Sequence, residues 1–167
     1  MRLRLIVFII APLMFTACKK DSKPSVIEVS VHIQDARLQN NVNVQLLTVS
    51  SGSIINSAKG TSDANGKINY NVSPGKTYYL YYDGTDQEII YNDNATYLVK
   101  GKFTSQQQIK NSPFQGPNTK VGDDIYMDIN GDGAITYYDK VLPVTEPSGG
   151  GTTNVDLILE QLVTATN

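Results

Sequence analysis

The chain has 167 residues, of which 40% are apolar and 18% are charged, with 14 basic against 16 acidic side chains. This length is the size of one ordinary domain. The basic residues form no patch or stripe along the sequence, which argues against a nucleic-acid partner.

The N-terminus has the pattern of a secretion signal. Arg2 and Arg4 precede an apolar run at 5–15, which is too short to span a bilayer as a helix, and small residues then lead to Cys18. The sequence "FTAC" resembles a bacterial lipobox, in which the cysteine is acylated and becomes the mature N-terminus. Residues 1–17 are therefore predicted to be a lipoprotein signal peptide. A plain signal peptide with an incidental cysteine is the alternative.

Cys18 is the only cysteine of the chain, so an internal disulfide is excluded and lipidation is its predicted role. A lipid on Cys18 would hold the protein to a membrane without crossing it. The polar stretch 18–24 would then act as a tether. Without Arg2 and Arg4, the 14 basic side chains become 12 against 16 acidic ones, a net charge of about −4.

The next part of the chain is a series of short alternating runs. Residues 26–34 alternate between apolar and polar side chains, and a period of two predicts a half-buried strand. Similar runs follow at 42–49, 66–72 and 77–82, rich in β-branched residues and tyrosine. Turn-forming residues separate them. This spacing of strands and turns predicts an all-β sandwich.

Two of the separators have specific turn chemistry. Asn65 and Gly66 can supply the positive φ angles of a tight hairpin turn. Pro74 and Gly75 suit the central positions of a type II turn. Asp63 and Asn65 could also be calcium ligands, but hairpin chemistry explains them more simply.

The stretch 25–83 also carries three short motifs in a fixed order. They are a V-x-V-x-L strand, a turn of the T-D-x-x-G kind, and a Pro-Gly turn followed by tyrosine. The matching residues are Val42, Val44 and Leu46; Ser62, Asp63 and Gly66; and Pro74, Gly75 and Tyr78. In these motifs the chain resembles the carboxypeptidase-regulatory-like, or transthyretin-like, fold. The resemblance implies a transthyretin-like/Ig-like β-sandwich of a usually non-catalytic kind.

The C-terminal stretch 152–163 alternates as well, with Val155, Leu157 and Leu159 on one face. This pattern predicts the closing strand of the sandwich, so the domain is expected to span 25–165. The chain would leave the sandwich near Lys100 and return near Thr152, which makes 101–150 a predicted insertion. An insertion of this length without structure of its own is unusual unless it is functional.

Residues 128–139, "DINGDGAITYYD", match the calcium-loop template of the EF-hand. Calcium prefers hard oxygen ligands, which this template places at positions 1, 3, 5, 7 (a backbone carbonyl), 9 and 12, with glycine at position 6. Here Gly133 occupies the glycine position. The predicted ligands are Asp128, Asn130, Asp132, Ala134, Thr136 and Asp139.

The loop also departs from the template. Asp139 stands where glutamate is usual, the residues before the loop have no helical period, and Pro143 limits the residues after it to one or two helical turns. Ile135 is expected to face away from the ion and pack on the protein. We expect a structural Ca²⁺ of modest affinity, as in extracellular modules. A solvated acidic turn is the alternative.

The loop lies inside a longer similarity over 102–140. The pattern P-G-D-I-x-x-x-D-x-N-G-D-G-x-I is matched, with Asp124 as an extra residue, at Gly122, Asp123, Ile125, Asp128, Asn130, Gly131, Asp132, Gly133 and Ile135. This segment resembles part of the starch-utilisation-type TonB-dependent receptors of Bacteroidetes. The resemblance implies a Bacteroidetes lipoprotein of the outer membrane, on its periplasmic or cell-surface face. Dockerins carry two such loops in tandem, whereas this chain has one.

The candidates for sugar stacking and for catalysis are few. Tyr78 and Tyr82 share one face of a predicted strand and Tyr79 and Tyr81 the other, so an exposed pair could stack on sugars, although ordinary packing explains them better. His32 is the only histidine and is expected to be a surface residue. No G-x-S-x-G motif is present.

The predicted function is a non-catalytic, calcium-binding, lipid-anchored binding or scaffolding module of the cell envelope. Its expected partners are the membrane, through Cys18, and an envelope protein or a glycan. A surface glycan-binding accessory of a polysaccharide-uptake system is the alternative, and a hydrolase is the third hypothesis.

Overall fold

A computed structural model of the protein describes residues 24–33, 37–51, 53–82, 97–103, 105–111, 118–145, 147 and 149–161. The predicted signal peptide and Cys18 lie outside the described residues. Among those that are described, no helix has both the length and the apolar character needed to cross a membrane.

The described residues are mostly β-strand. The strands are β1 (Ser25–Ile33), β2 (Arg37–Leu38), β3 (Asn43–Ser50), β4 (Ser53–Thr61), β5 (Lys67–Val72), β6 (Thr77–Tyr81), β7 (Tyr97–Val99), β8 (Val141–Val144) and β9 (Thr152–Gln161). A short helix, α1 (Gln106–Asn111), and a 3-10 turn at Tyr137–Asp139 are the helical elements of this part of the chain. The strands form two sheets, and the predicted all-β sandwich is confirmed.

The first sheet is built around the N- and C-terminal strands. β9 pairs in parallel with β1 along its length, from Val26 opposite Thr152 to Ile33 opposite Leu159. β2 and β5 pair antiparallel with the other edge of β1, and β7 pairs with β9. The predicted closing strand is therefore present, as β9. The second sheet has the order β4-β3-β6-β8.

The inter-sheet core fills the space between the two sheets. The alternation of β1 places Ile27, Val29 and Val31 inward with no exposed surface, and Leu157 and Leu159 of β9 are equally buried. Each fully buried aliphatic side chain contributes about 1.5–3 kcal/mol relative to an exposed one. The period of two is thus the direct cause of the sandwich.

A second core lies on the outer face of the second sheet. There the segment 101–140 covers β3, β6 and β8. The buried members of this second core are Leu47, Val49, Tyr79, Tyr81, Phe103, Ile109, Ile125, Met127 and Val141. The second sheet is therefore buried on both faces where this segment covers it.

The tyrosines of β6 are packed on both sides of the strand. Tyr78 and Tyr82 belong to the inter-sheet core, and Tyr79 and Tyr81 belong to the second core. All four are at most 8% exposed. The hypothesis of an exposed tyrosine pair that stacks on sugars is wrong, because the segment 101–140 covers the outer face, and the packing alternative is confirmed.

The turn at 62–66 connects the sheets. β4 belongs to the second sheet and β5 to the first, so this turn is a corner between sheets and the predicted hairpin is wrong. Gly66 has a φ of +70°, and a Cβ there would lie 2.9 Å from that of Leu38. The Asp63 carboxylate accepts hydrogen bonds from the amides of Asn65 and Lys67, both 2.8 Å, as turn chemistry requires.

The C-terminal part of the predicted insertion, 101–150, was expected to lie outside the sandwich but contributes a strand to it. β8 lies within 101–150, yet it pairs with β6 and so is a strand of the sandwich. β8 is the edge strand of its sheet. Pro143 is tolerated there because an edge strand does not need every amide for the ladder.

Candidate metal site

The loop 128–139 is closed at its base by the second core. Its first residue follows Met127, which is fully buried, and its last residue, Asp139, is 5% exposed. The amide of Met127 donates to the carbonyl of Asp139 at 2.9 Å, and the amide of Val141 donates to the carbonyl of Ile125 at the same distance. The two ends of the loop are therefore held side by side on the outer face of the second sheet.

Asp128 organises the first half of the loop. Its Oδ1 accepts from the amide of Gly131 at 2.8 Å, and its Oδ2 accepts from the amide of Gly133 at 2.9 Å. Both glycines have positive φ, +73° and +81°, a region that glycine enters without steric cost. The chain therefore curls around the Asp128 carboxylate.

Asn130 and Asp132 continue the curl through side-chain to backbone turns. The side-chain oxygen of Asn130 accepts from the amide of Asp132 at 3.1 Å, and Oδ1 of Asp132 accepts from the amide of Ala134 at 2.7 Å. The Asn130 amide group also donates to Oδ2 of Asp132 at 2.7 Å. These short-range bonds are the ones that aspartate and asparagine favour in turns.

Asp139 closes the second half of the loop through hydrogen bonds. Its Oδ2 accepts from the amide and the hydroxyl of Thr136, both at 2.8 Å, and its Oδ1 accepts from the amide of Ile129 at 3.3 Å. Thr136 and Asp139 form a capping box on the 3-10 turn. This role of Thr136 and Asp139 was not predicted, although a threonine followed three residues later by an acidic residue is a known capping signal.

The loop supplies the kinds of oxygen atom that calcium prefers, but the structure does not bring its carboxylates together as a metal site. In the part of the chain that the structure describes, no group of three or more His, Cys, Asp or Glu side chains is placed to hold a metal ion. A carboxylate has about four lone-pair sites, and the bonds above use two at Asp128, two at Asp132 and three at Asp139. All three carboxylates therefore keep acceptor capacity while they order the backbone.

Ile135 does not pack as expected. Its side chain is 52% exposed, whereas the template interpretation predicted contact with the protein. The apolar anchors of the loop are the residues just before it and its own second residue, Ile129, which packs against the second core. Ile135 is left at the surface because the loop curls away from the sheet between these anchors and Asp139.

An ion cluster beside the base of the loop was not predicted. Asp124 lies 3.2 Å from the ammonium of Lys140 and 3.6 Å from that of Lys102, and the hydroxyl of Tyr126 donates to it at 3.4 Å. Burial, and next the charge and hydrogen bond of Asp124, raise the pKa of Tyr126. The cluster ties the two sides of the base together, and its members are too far apart in sequence to form a recognisable motif.

His32 lies away from this region, on β1. Its Nε2 is 3.2 Å from Oδ1 of Asp156 on β9, and its side chain is 24% exposed. This position agrees with the expected surface role.

No protein-family model matches the chain, and no curated protein matches it. Among solved structures, a Pseudomonas aeruginosa protein that is provisionally named as a carbohydrate binding protein is similar at a TM-score of 0.37 and 13% identity, over 85% of this chain and 92% of that one. A likeness of this size adds nothing to the architecture described above.

Proposed function

We propose that the protein is a non-catalytic, lipid-anchored binding or scaffolding module of the cell envelope, in which a Ca²⁺ ion on the loop 128–139 fixes the segment 101–140 against the second sheet. The observation that supports this proposal is the curl of the loop around Asp128 and its closure by Asp139. Both ends of the loop are held by the second core.

The proposed ligands are Asp128, Asn130, Asp132, Thr136 and Asp139 with side-chain oxygens, and Ala134 with its carbonyl. Three carboxylates within twelve residues disfavour one another, and a divalent cation reverses that effect. Calcium accepts carboxylate, amide, carbonyl and hydroxyl oxygens in one shell. Its role here would be structural, because it would link the two halves of the loop.

Calcium titration with calorimetry and thermal melting tests this proposal. A ligand that binds only the native state at tenfold excess over Kd adds about 1.4 kcal/mol to the free energy of unfolding. For a domain of this size, the melting temperature should rise by roughly 3–5 °C. Asp132→Ala should abolish the response, and Ala134→Ser, which keeps the carbonyl, should preserve it. No binding heat together with no change in melting on chelation would refute calcium binding.

The proposed anchor is a lipid on Cys18. It is motivated by the "FTAC" motif, which lies outside the described residues, and it would place the protein at the outer membrane. Cys18→Ser should release the protein from the membrane fraction or leave the precursor uncleaved. A mutant that still fractionates with membranes at the mature size would contradict lipidation.

The non-catalytic part of the proposal has a test of its own. The mature protein, with calcium present, should show no turnover in a hydrolase screen against glycosides and esters. Turnover that survives purification to homogeneity would contradict it.

A further inference from the structure

A cleft of about 230 Å³ opens at one edge of the sandwich, where β4 faces the turn between β5 and β6. It shares no residue with the loop 128–139. Six of the residues at this cleft come from the second sheet, and Lys76 lies in the turn just before β6. The six are Leu46, Thr48, Ile55, Asn56, Ala58 and Tyr78.

All of these sheet residues except Ile55 share one face of the sheet. In the register, Leu46 is opposite Ala58, and Thr48 is opposite both Asn56 and Tyr78. Lys76 lies one residue before β6 begins and lines the same cleft from the turn. The face is the one that forms the inter-sheet core further along, where Leu46 and Tyr78 are buried. The cleft is therefore the open end of that core.

Three polar residues line the cleft from β3, β4 and the turn before β6, and we call Thr48, Asn56 and Lys76 the polar triad. None of the three side chains hydrogen-bonds or ion-pairs with another described residue. The hydroxyl of Tyr78, in contrast, is fully occupied, because it donates to the carbonyl of Ser73 at 2.8 Å and accepts from the amide of Ser73 at 3.0 Å. The triad thus presents a hydroxyl, an amide and an ammonium whose hydrogen-bonding capacity is unused. They lie beside the Tyr78 side chain, which its two bonds to Ser73 hold in place.

A β-bulge places an apolar side chain next to the triad. The register between β3 and β4 shifts, so that Val49 is opposite Ile54, Thr48 is opposite Asn56, and Ile55 has no partner. Neighbours on a regular strand face opposite sides, yet Ile55 and Asn56 both line the cleft, and Ile55 is 54% exposed. Bulges redirect side chains in this way, often beside binding sites.

We propose that this cleft binds a single sugar ring of a glycan. The volume is below the roughly 300–1,000 Å³ of pockets for drug-sized ligands, so one ring fits better than a longer ligand. The amide of Asn56 and the hydroxyl of Thr48 can each donate to and accept from ring hydroxyls, and Lys76 can donate to them. Ile55, which is 54% exposed, offers apolar surface to the C–H face of the sugar ring. This inference deepens the proposed binding role by naming a site and a ligand class.

The test is an NMR titration of the mature protein, with calcium present, against glucose, galactose, mannose and N-acetylglucosamine. At least one sugar should give saturable amide shifts confined to β4, the turn 73–76 and the part of β3 around Thr48, with a Kd on the order of 1 mM. Asn56→Ala and Lys76→Gln should each weaken binding by roughly tenfold, as expected for the loss of one hydrogen bond. Ala58→Leu, which fills the cleft from an exposed position, should abolish the shifts without lowering the melting temperature.

Lys59→Gln is the matched control. Lys59 lies on β4, as Asn56 does, but it is opposite Gln45 on the other face of the sheet. The Lys59→Gln variant should therefore bind the sugar as the wild type does. The absence of saturable shifts with all four sugars, or equal losses for Lys59→Gln and Lys76→Gln, would overturn the proposal. The calcium response is measured on the same samples, so a failure of the calcium proposal can be distinguished from a failure of the sugar site.

Discussion

Asp139 provides a way to separate the structural role of the loop from its proposed metal role. The substitution Asp139→Asn keeps the shape of the side chain but leaves one oxygen. If that oxygen accepts the two bonds of Thr136, the new amide group faces the N–H of Ile129, which then has no acceptor. This N–H is part-buried, and a donor shielded from water that loses its partner costs about 1–3 kcal/mol. The melting temperature should therefore fall by roughly 2–10 °C even in chelator.

Asp128→Asn is the matched comparison for this prediction. The bonds that Asp128 accepts from Gly131 and Gly133 are solvent-exposed. Water can replace an exposed partner, so the loss of stability in chelator should be less than about 1 kcal/mol. Both variants should lose the calcium response because each removes a carboxylate ligand.

Urea denaturation in chelator and in saturating calcium measures both effects on the same samples. The free energies of unfolding should rank wild type, Asp128→Asn and Asp139→Asn from highest to lowest in chelator. In calcium, the two variants should keep the values that they have in chelator. If the two variants lose equal free energies of unfolding in chelator, the assignment of Asp139 as the buried residue that closes the loop is refuted.

Three further predictions concern the packing around this region and the sandwich. Met127→Ala, at a fully buried position of the second core, should cost about 2–5 kcal/mol in urea denaturation and increase proteolysis within 120–140. Gly101→Ala should cost about 1–3 kcal/mol, because its Cβ would clash with the backbone of Val141. Burial raises the pKa of Tyr70, so the stability that its neutral phenol contributes is present below about pH 10 and is lost as pH rises through the folded-state pKa. Tyr70→Phe should reduce this alkaline loss of stability. At neutral pH the same substitution should cost about 0.5–1.5 kcal/mol, because the carbonyl of Val44 loses its hydrogen-bond donor. Urea midpoints at neutral and alkaline pH measure both effects.

Alternation predicted the strands that have one face in the inter-sheet core. β1, β3, β5 and β9 lie within one or two residues of their predicted bounds wherever the structure describes them. β4 was not predicted, because it is exposed along most of its length and therefore needs no apolar alternation. β8 was not predicted either, since its four residues include Pro143, which usually argues against a strand.

The interactions that a local pattern cannot show are those between distant segments. The tyrosines on both faces of β6 favoured packing over an exposed sugar-stacking pair, and only the structure shows that Phe103, Ile125 and Met127 cover the outer face. The spacing of oxygen-bearing residues predicted a set of calcium ligands, but not the hydrogen bonds that already occupy those residues. The polar triad was also missed, because it forms only when β3 pairs with β4 and the turn before β6 lies beside them.

The parallel pairing of β1 with β9 determines how the domain responds to a pulling force. The chain enters β1 at one end of this pair and leaves β9 at the other, with eight residue pairs in register from Val26 to Ile33. Tension between a membrane tether at the N-terminus and a load at the C-terminus would act along the strands and shear all the connecting hydrogen bonds together. Resistance to such a load depends on the rate of unfolding rather than on equilibrium stability. For a tethered module, this strand pair would be the part of the domain that bears the load first.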